Sequence, residues 1–268
     1  MKKDKEFKSL DAYAKTAILA ALKGGEILLK NRGKVKKVGY KGRVNLVTEV
    51  DFYSERAILK IIKKKFPDFG ILTEESEPEK KDSEYKWIID PLDGTTNYFH
   101  DFPSYCVSIA LEKNNEIILG VVFNPLLNEL FVAEKGKGAF LNKKRISVSK
   151  TNKLSKSLLA TGFPYDIRET DVDNLDHFAN FAKKAQAIRR AGSAALDLCY
   201  LAMGRFDGFW ELKLSPWDTA AGSLLVKEAG GKVTDFKGSK YSIYKKEILA
   251  SNGKIHSQML EVLKLGKF

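Results

Sequence analysis

Four acidic residues fall where apolar segments end. Glu74 follows Ile71-Leu72-Thr73, and Asp90 follows Trp87-Ile88-Ile89. Asp93 comes three residues after Asp90, and Asp218 follows Pro216-Trp217 at the start of a helical pattern. Ligands of α/β sheets gather at strand ends, so acids placed there are candidate ligands or bases. The densest stretch is Asp90-Pro91-Leu92-Asp93-Gly94-Thr95-Thr96. Pro91 keeps Asp90 out of helical conformation, which predicts a turn leaving a strand. Gly94 lets the backbone approach a ligand closely. Thr95 and Thr96 offer hydroxyls and backbone N–H groups at a helix N-terminus, which makes a phosphate cradle. Two carboxylates beside such a cradle repel an anion unless cations lie between them. The expectation is a divalent metal with oxygen ligands, Mg²⁺ before Zn²⁺. The histidines, His100, His177 and His256, are far apart in sequence and give no zinc spacing.

Each acid alone also has a structural use. Asp90 and Asp93 suit an Asx turn with an N-cap, Glu74-Glu75 an exposed loop, Thr48 with Asp51 a capping box, and Asp218 a helix cap. Their joint occurrence at element ends, with Gly94-Thr95-Thr96 in register, favours the metal site. Other chemistries lack their residues. No Gly-Lys pair precedes Ser or Thr, so there is no P-loop. Gly136-Lys137-Gly138 has no third glycine at the dinucleotide spacing. There is no Gly-x-Ser-x-Gly elbow.

The elements that must hold these residues are legible from periodicity. Residues 11–30 repeat apolar side chains at helical spacing, with Gly24-Gly25 as a weak point where the helix can bend. Residues 31–46 read as an exposed Lys/Gly-rich connection. Thr48 and Asp51 open a second helix that Pro67 ends. Strands are expected at 70–72, 87–89, 105–111, 117–123 and 129–133, with turns at Asn114-Asn115 and Asn124-Pro125. Helices follow at 174–187 and 194–203, then a strand at 207–211. A helix after Trp217 stops at Gly230-Gly231, and a strand at 248–251 precedes a helix at 255–265. This alternation is a mixed α/β layout. No repeat or linker divides it, so one domain over residues 1–268 is expected.

The chain has 268 residues, 44% of them hydrophobic, enough for a sizeable core without disulfide staples. Cys106 and Cys199 stand singly in apolar stretches and read as buried thiols of a reducing cytoplasm. The longest early apolar run, Ala17 to Leu22, ends at Lys23, so neither a leader nor a membrane span is expected. The net charge is +12, but only 8 of the 46 basic residues are Arg. Scarce Arg and dispersed Lys point to a solvated surface, so a nucleic-acid partner is not expected.

Taken together, several segments resemble the inositol monophosphatase family, Mg²⁺-dependent and Li⁺-sensitive phosphomonoesterases related to fructose-1,6-bisphosphatases. They are Asn45-Leu46-Val47-Thr48-Glu49-Val50-Asp51, Thr73-Glu74-Glu75-Ser76, Trp87 to Asn97, Gly120 to Pro125, Gly192-Ser193-Ala194-Ala195, and Pro216 to Gly222. The resemblance implies a layered α-β-α-β-α sandwich, usually homodimeric. It also implies that Glu74, Asp90, the Leu92 carbonyl, Asp93 and Asp218 hold two or three Mg²⁺. Thr95 and Asp51 would orient and help deprotonate the attacking water, with Glu74 beside it, and no phospho-enzyme would form. Gly94 and Thr95 would hold the phosphate, and Asp93 and Asp218 would also bind the substrate. Ser193, Ala194 and Glu211 would contact its alcohol, a small phosphorylated polyol. Asn45 stands where many relatives carry an acid, and the loop before it closes over the site in the family. Inositol-1-phosphate is the expected substrate. A fructose-1,6-bisphosphatase or dual sugar phosphatase is the alternative, with Lys213 and Arg189-Arg190 as partners for a second phosphate. A binding role with RNA or RNA polymerase is the reading from another class.

Overall fold

Two large β-sheets with helices on their faces, and a separate two-stranded hairpin, make up the computed structural model, which describes residues 10–34, 38–41 and 45–265. Helix α1 (Ala12–Asn31) begins at Asp11, whose carboxylate accepts the Ala14 N–H at 2.9 Å, an N-cap. It runs unbroken through Gly24-Gly25. The glycines serve contact: a Cβ on Gly25 would lie 2.5 Å from the Phe123 ring. Part of the connection expected over 31–46 is instead a hairpin. Strand β1 (Val38–Lys41) pairs antiparallel with β2 (Asn45–Thr48). Alternating Leu46-Val47-Thr48 can pair as a strand, a signal that the surrounding lysines and glycines obscured. Residues 35–37 and 42–44, which belong to the loop expected to close over the site, lie outside the described residues. Helix α2 (Glu49–Lys65) starts from the expected Thr48/Asp51 capping box.

The first sheet has seven strands in chain order. They are β3 (Gly70–Thr73), β4 (Tyr85–Asp93), β5 (Cys106–Lys113), β6 (Glu116–Asn124), β7 (Glu129–Glu134), β8 (Gly138–Leu141) and β9 (Lys144–Arg145). Only β3 and β4 run parallel; each later neighbour is antiparallel. The turn expected at Asp90 is a bulge instead. Strand β4 pairs with β5 through Ser108 opposite Asp90 and Cys106 opposite Asp93, with the register shifting between them. Pro91 has no N–H to donate, so it suits the unpaired stretch, and a bulge re-aims the acids on either side.

The second sheet has the order β11 (Ala187–Arg189), β10 (Leu158–Thr161), β12 (Gly208–Leu212), β14 (Glu247–Ser251), β13 (Lys232–Thr234). The helix expected over 174–187 is shorter, α4 (Leu175–Ala182). Lys184 and Ala185 donate back to the Phe181 carbonyl, and the chain then pairs along β10 as β11. Ile188 packs against the cluster around Leu159 and Trp210, so burial against the sheet overrides helical periodicity there.

Short helix α3 (Thr95–Phe99) leaves the bulge. Helices α5 (Ala194–Ala202) and α6 (Pro216–Glu228) lie between the sheets, while α4 and α7 (His256–Leu263) cover the outer face of the second. Helices α1 and α2 cover the first sheet. The five layers are therefore the expected α-β-α-β-α sandwich. Ala-rich α5 and α6 carry much of the core between the sheets. Large side chains buried there and elsewhere, such as Phe131 and Phe209, contribute about 1.5–3 kcal/mol each. Close packing of α6 on β6 requires Gly120, where a Cβ would sit 2.7 Å from the Ala221 carbonyl oxygen. Cys106 and Cys199 are buried free thiols, as expected. Among the described residues, no helix is long and apolar enough to cross a membrane.

Candidate active site

Strand β4 delivers Asp90 and Asp93 on either side of its bulge, and α6 delivers Asp218 from its first turn. Carboxylate oxygens of these three residues all lie within 4.8 Å of one another. They line one cavity of about 440 Å³ together with Glu74, Leu92, Gly94, Thr95, Ser193, Ala194 and Glu211. Asp51 stands behind this wall, fully buried, and reaches it through Thr95. Lys213 and Arg190 line the cavity as well, whereas Arg189, also singled out by the sequence, is not among its lining residues. The side chain of Asn45 lies outside what the structure describes.

Each carboxylate is fixed by its own element. Asp90 Oδ1 accepts the Leu92 N–H at 3.0 Å across the bulge. Asp93 Oδ2 accepts the Ser193 hydroxyl at 2.6 Å and the Ala195 N–H at 2.9 Å, both from the start of α5. Asp218 Oδ2 accepts the Ser215 N–H at 2.6 Å. Asp51 Oδ2 accepts the Thr48 N–H at 2.8 Å and hydroxyl at 2.6 Å. Its other oxygen, Oδ1, accepts the Thr95 hydroxyl at 3.0 Å. That hydroxyl also lies 3.1 Å from the Leu92 carbonyl oxygen. Asp51 and Asp218 are therefore helix caps and site residues at once, so the two uses weighed from sequence do not compete.

Burial pushes these acids up. Asp90 rises well above the ordinary carboxylate value through desolvation, then through the charges of Glu74, Asp93 and Asp218. Asp218 rises well above it through burial, then through Asp93 and Glu74. Burial lifts Asp93 and Asp51 only to about 6, because hydrogen bonds from Ser193 and Thr48 oppose it. Glu211 goes to about 8 by burial, against the pull of Arg190. Carboxylates crowded in this way repel one another, and a cation among them removes the repulsion. An all-oxygen donor set suits a hard divalent ion, so Asp90, Asp93 and Asp218 fit a metal site.

Gly94 adopts φ 91°, a left-handed backbone that glycine tolerates. A Cβ there would meet the Ser104 carbonyl at 2.7 Å. Gly94 serves as the N-cap of α3, so Thr95 opens the helix as expected.

Several positioning residues escaped the sequence reading. Buried Glu55 on α2 accepts the Thr73 hydroxyl at 2.6 Å and the Glu75 N–H at 3.1 Å, fixing the segment that carries Glu74. Asn97 Nδ2 donates to the Ser104 and Ala191 carbonyls, each at 2.7 Å, tying α3 to the approach of α5. Gly162 makes room for Glu211, whose Oε1 would lie 2.1 Å from a Cβ there. Asp166 and Asp197 also line the cavity. Buried Asp197 sits four residues after the Ser193 N-cap, the only sequence signal it offers.

Comparison with known proteins identifies the family and the fold. A sequence model of the inositol monophosphatase family matches residues 9–265. Inositol-1-monophosphatase of Synechocystis sp. is 45% identical over 95% of this chain and 89% of its own. Nus factor SuhB of Pseudomonas aeruginosa is 42% identical over 92% of this chain and 94% of its own. The crystal structure of extragenic suppressor protein suhB from Bartonella henselae superposes with a TM-score of 0.90 at 42% identity, covering 96% of this chain and all of that one.

Proposed function

The chain belongs to the inositol monophosphatase family, a family of phosphoric monoester hydrolases, and from that premise we propose that it hydrolyses inositol-1-phosphate to inositol and phosphate with Mg²⁺. The observation that carries this reading is the meeting of Asp90, Asp93 and Asp218 beside the Gly94-Thr95 cradle, with Thr95 bonded to Asp51. In this reading Glu74, Asp90, the Leu92 carbonyl, Asp93 and Asp218 hold two or three ions. Bound there, the ions supply Lewis acidity toward the phosphoryl oxygens and a water of lowered pKa.

The chain's own residues do the rest. Thr95 Oγ1 faces the phosphate and orients the attacking water. It accepts a proton from that water as it passes its own to Asp51 Oδ1, along the bond already in place. Asp51, near 6, is mostly ionised at neutral pH and can take that proton. Backbone N–H groups at Gly94 and Thr95 hold phosphate oxygens at the start of α3. Asp93, locked by Ser193 and Ala195, keeps one oxygen engaged and presents the other, so the ligand set is positioned before substrate arrives. Ser193, Ala194 and Glu211 form the side facing the alcohol, where carboxylate and hydroxyl groups can bond to polyol hydroxyls. Sensitivity to Li⁺ and a homodimer in the cytoplasm belong to the same reading.

The test is phosphate release with and without Mg²⁺, comparing inositol-1-phosphate with fructose-1,6-bisphosphate at matched concentration. Mg²⁺-dependent turnover favouring inositol-1-phosphate is expected. Equal rates would make the chain a dual sugar phosphatase, and no release from either would remove the substrate assignment. The likeness to a Nus factor favours a second reading, a partner role in RNA synthesis. Binding to RNA polymerase that persists in Asp90→Asn would establish that role apart from catalysis, and loss of all binding at physiological salt would remove it.

A further inference from the structure

The cavity carries seven carboxylates against two cations, Arg190 and Lys213. Arg190 lies in the field of Glu211 and Asp197. Lys213 Nζ lies 2.7 Å from Asp166 Oδ2. The Lys213 and Asp166 side chains are 28% and 46% exposed, whereas Asp90 is 1% exposed. The ion pair therefore sits at the solvent-facing margin of the cavity. Lys213 takes φ 59°, a left-handed backbone that a lysine adopts only where its surroundings hold it. Here its N–H donates to the Lys246 carbonyl at 2.7 Å and its ammonium is held by Asp166. Asp166 Oδ1 is buried and has no hydrogen-bond partner among the described residues. Oδ1 is closed to solvent, so a ligand in the cavity meets the exposed remainder of the Asp166 side chain.

We propose that the Asp166–Lys213 pair determines specificity, admitting esters of uncharged polyols and turning away bisphosphates. This rests on the phosphomonoesterase reading above. An alcohol hydroxyl beside the pair can donate to the exposed side of the Asp166 carboxylate without displacing Lys213. A second phosphate in the same place meets a carboxylate, and the nearby ammonium is already engaged. Such a ligand must break the pair before Lys213 can serve it. Lys213, which the sequence offered as the partner of a second phosphate, is thus assigned to Asp166.

The experiment measures kcat/KM for inositol-1-phosphate and fructose-1,6-bisphosphate with the full-length chain, wild type and variants. Asp166→Asn keeps the shape and removes the charge. It is expected to raise the bisphosphate-to-monophosphate ratio about tenfold or more, the scale of removing a like-charge contact. Asp166→Glu should restore a ratio near wild type. Adding Lys213→Gln to Asp166→Asn should shrink the gain, because the freed ammonium is then gone and only the relief of repulsion remains. An unchanged ratio in Asp166→Asn, at wild-type melting temperature, overturns the proposal. So does an equal fall for both substrates, which marks the pair as merely structural. Absence of inositol-1-phosphate turnover in the wild type sinks the function reading instead, and is distinguished by that control alone.

Discussion

Asp90 is 1% exposed and surrounded by like charge, so its replacement separates charge from shape. Asp90→Asn keeps the volume and removes one repelling carboxylate. Activity is expected to fall by more than about a hundredfold, since even groups one step removed from a metal cost 10–100-fold. The same variant should melt higher than wild type in chelator, and should lose the stabilisation that Mg²⁺ gives the wild type. Paired thermal melts with EDTA and with Mg²⁺ check both. A variant that turns over at near wild-type rates would remove Asp90 from the site. At this scale the sequence was informative because metal chemistry concentrates in few residue types. Asp90, Asp93, Glu74 and Asp218 stood out by sitting where apolar runs stop. Asp166, Gly162 and Asn97 did not, because their roles depend on what lies across the cavity. Gly162 acts only by the space it leaves for Glu211, and spacing along the chain carries no record of that.

Helices and strands hold these residues by close approach, and Gly120 is the sharpest case. A methyl group there would press on the Ala221 carbonyl and on its Cα, at 2.7 and 2.9 Å. Backbone cannot swing aside as a side chain does. Gly120→Ala is therefore expected to cost about 1–3 kcal/mol. Denaturant midpoints should fall accordingly, and Mg²⁺ should bind more weakly because α6 carries Asp218. A midpoint equal to wild type would show that α6 can shift. Long, strongly periodic elements such as α1, α2 and β5–β7 were legible from pattern alone. Strand β11 was not, because Ala187-Ile188-Arg189 continues a helical rhythm and becomes a strand only beside β10. The bulge in β4 was hidden too. Pro91 announced a break, but pairing of Asp93 with Cys106 beyond the break is a tertiary fact.

The molecule as a whole joins its outer layer to the second sheet partly through His256. Its ring bonds Thr234 Oγ1 at 3.0 Å and Ser251 Oγ at 2.8 Å, linking α7 to β13 and β14. Burial lowers its pKa from 6.5 to about 4. The folded state therefore prefers the neutral ring, and the unfolded state takes up the proton first. Its contribution is complete above 6.5 and is lost as pH falls toward 4, at no more than about 1.4 kcal/mol per pH unit. Denaturant melts of wild type and His256→Gln across that window should diverge at neutral pH and converge in acid. Parallel curves would discharge His256 from acid sensitivity. The +12 net charge has a different bearing. It draws anions toward the surface, while the cavity itself is acidic and accepts them only with cations in place.

The clamp of Asn97 on Ala191 and the grip of Ser193 on Asp93 join segments that are far apart along the chain. Asp218 comes later still. A chain growing from its N-terminus therefore carries Asp90 and Asp93 long before their third carboxylate exists. Until Asp218 emerges, the cluster of three carboxylates is incomplete. The order of synthesis thus completes the proposed metal site only when nearly the whole sandwich has been made.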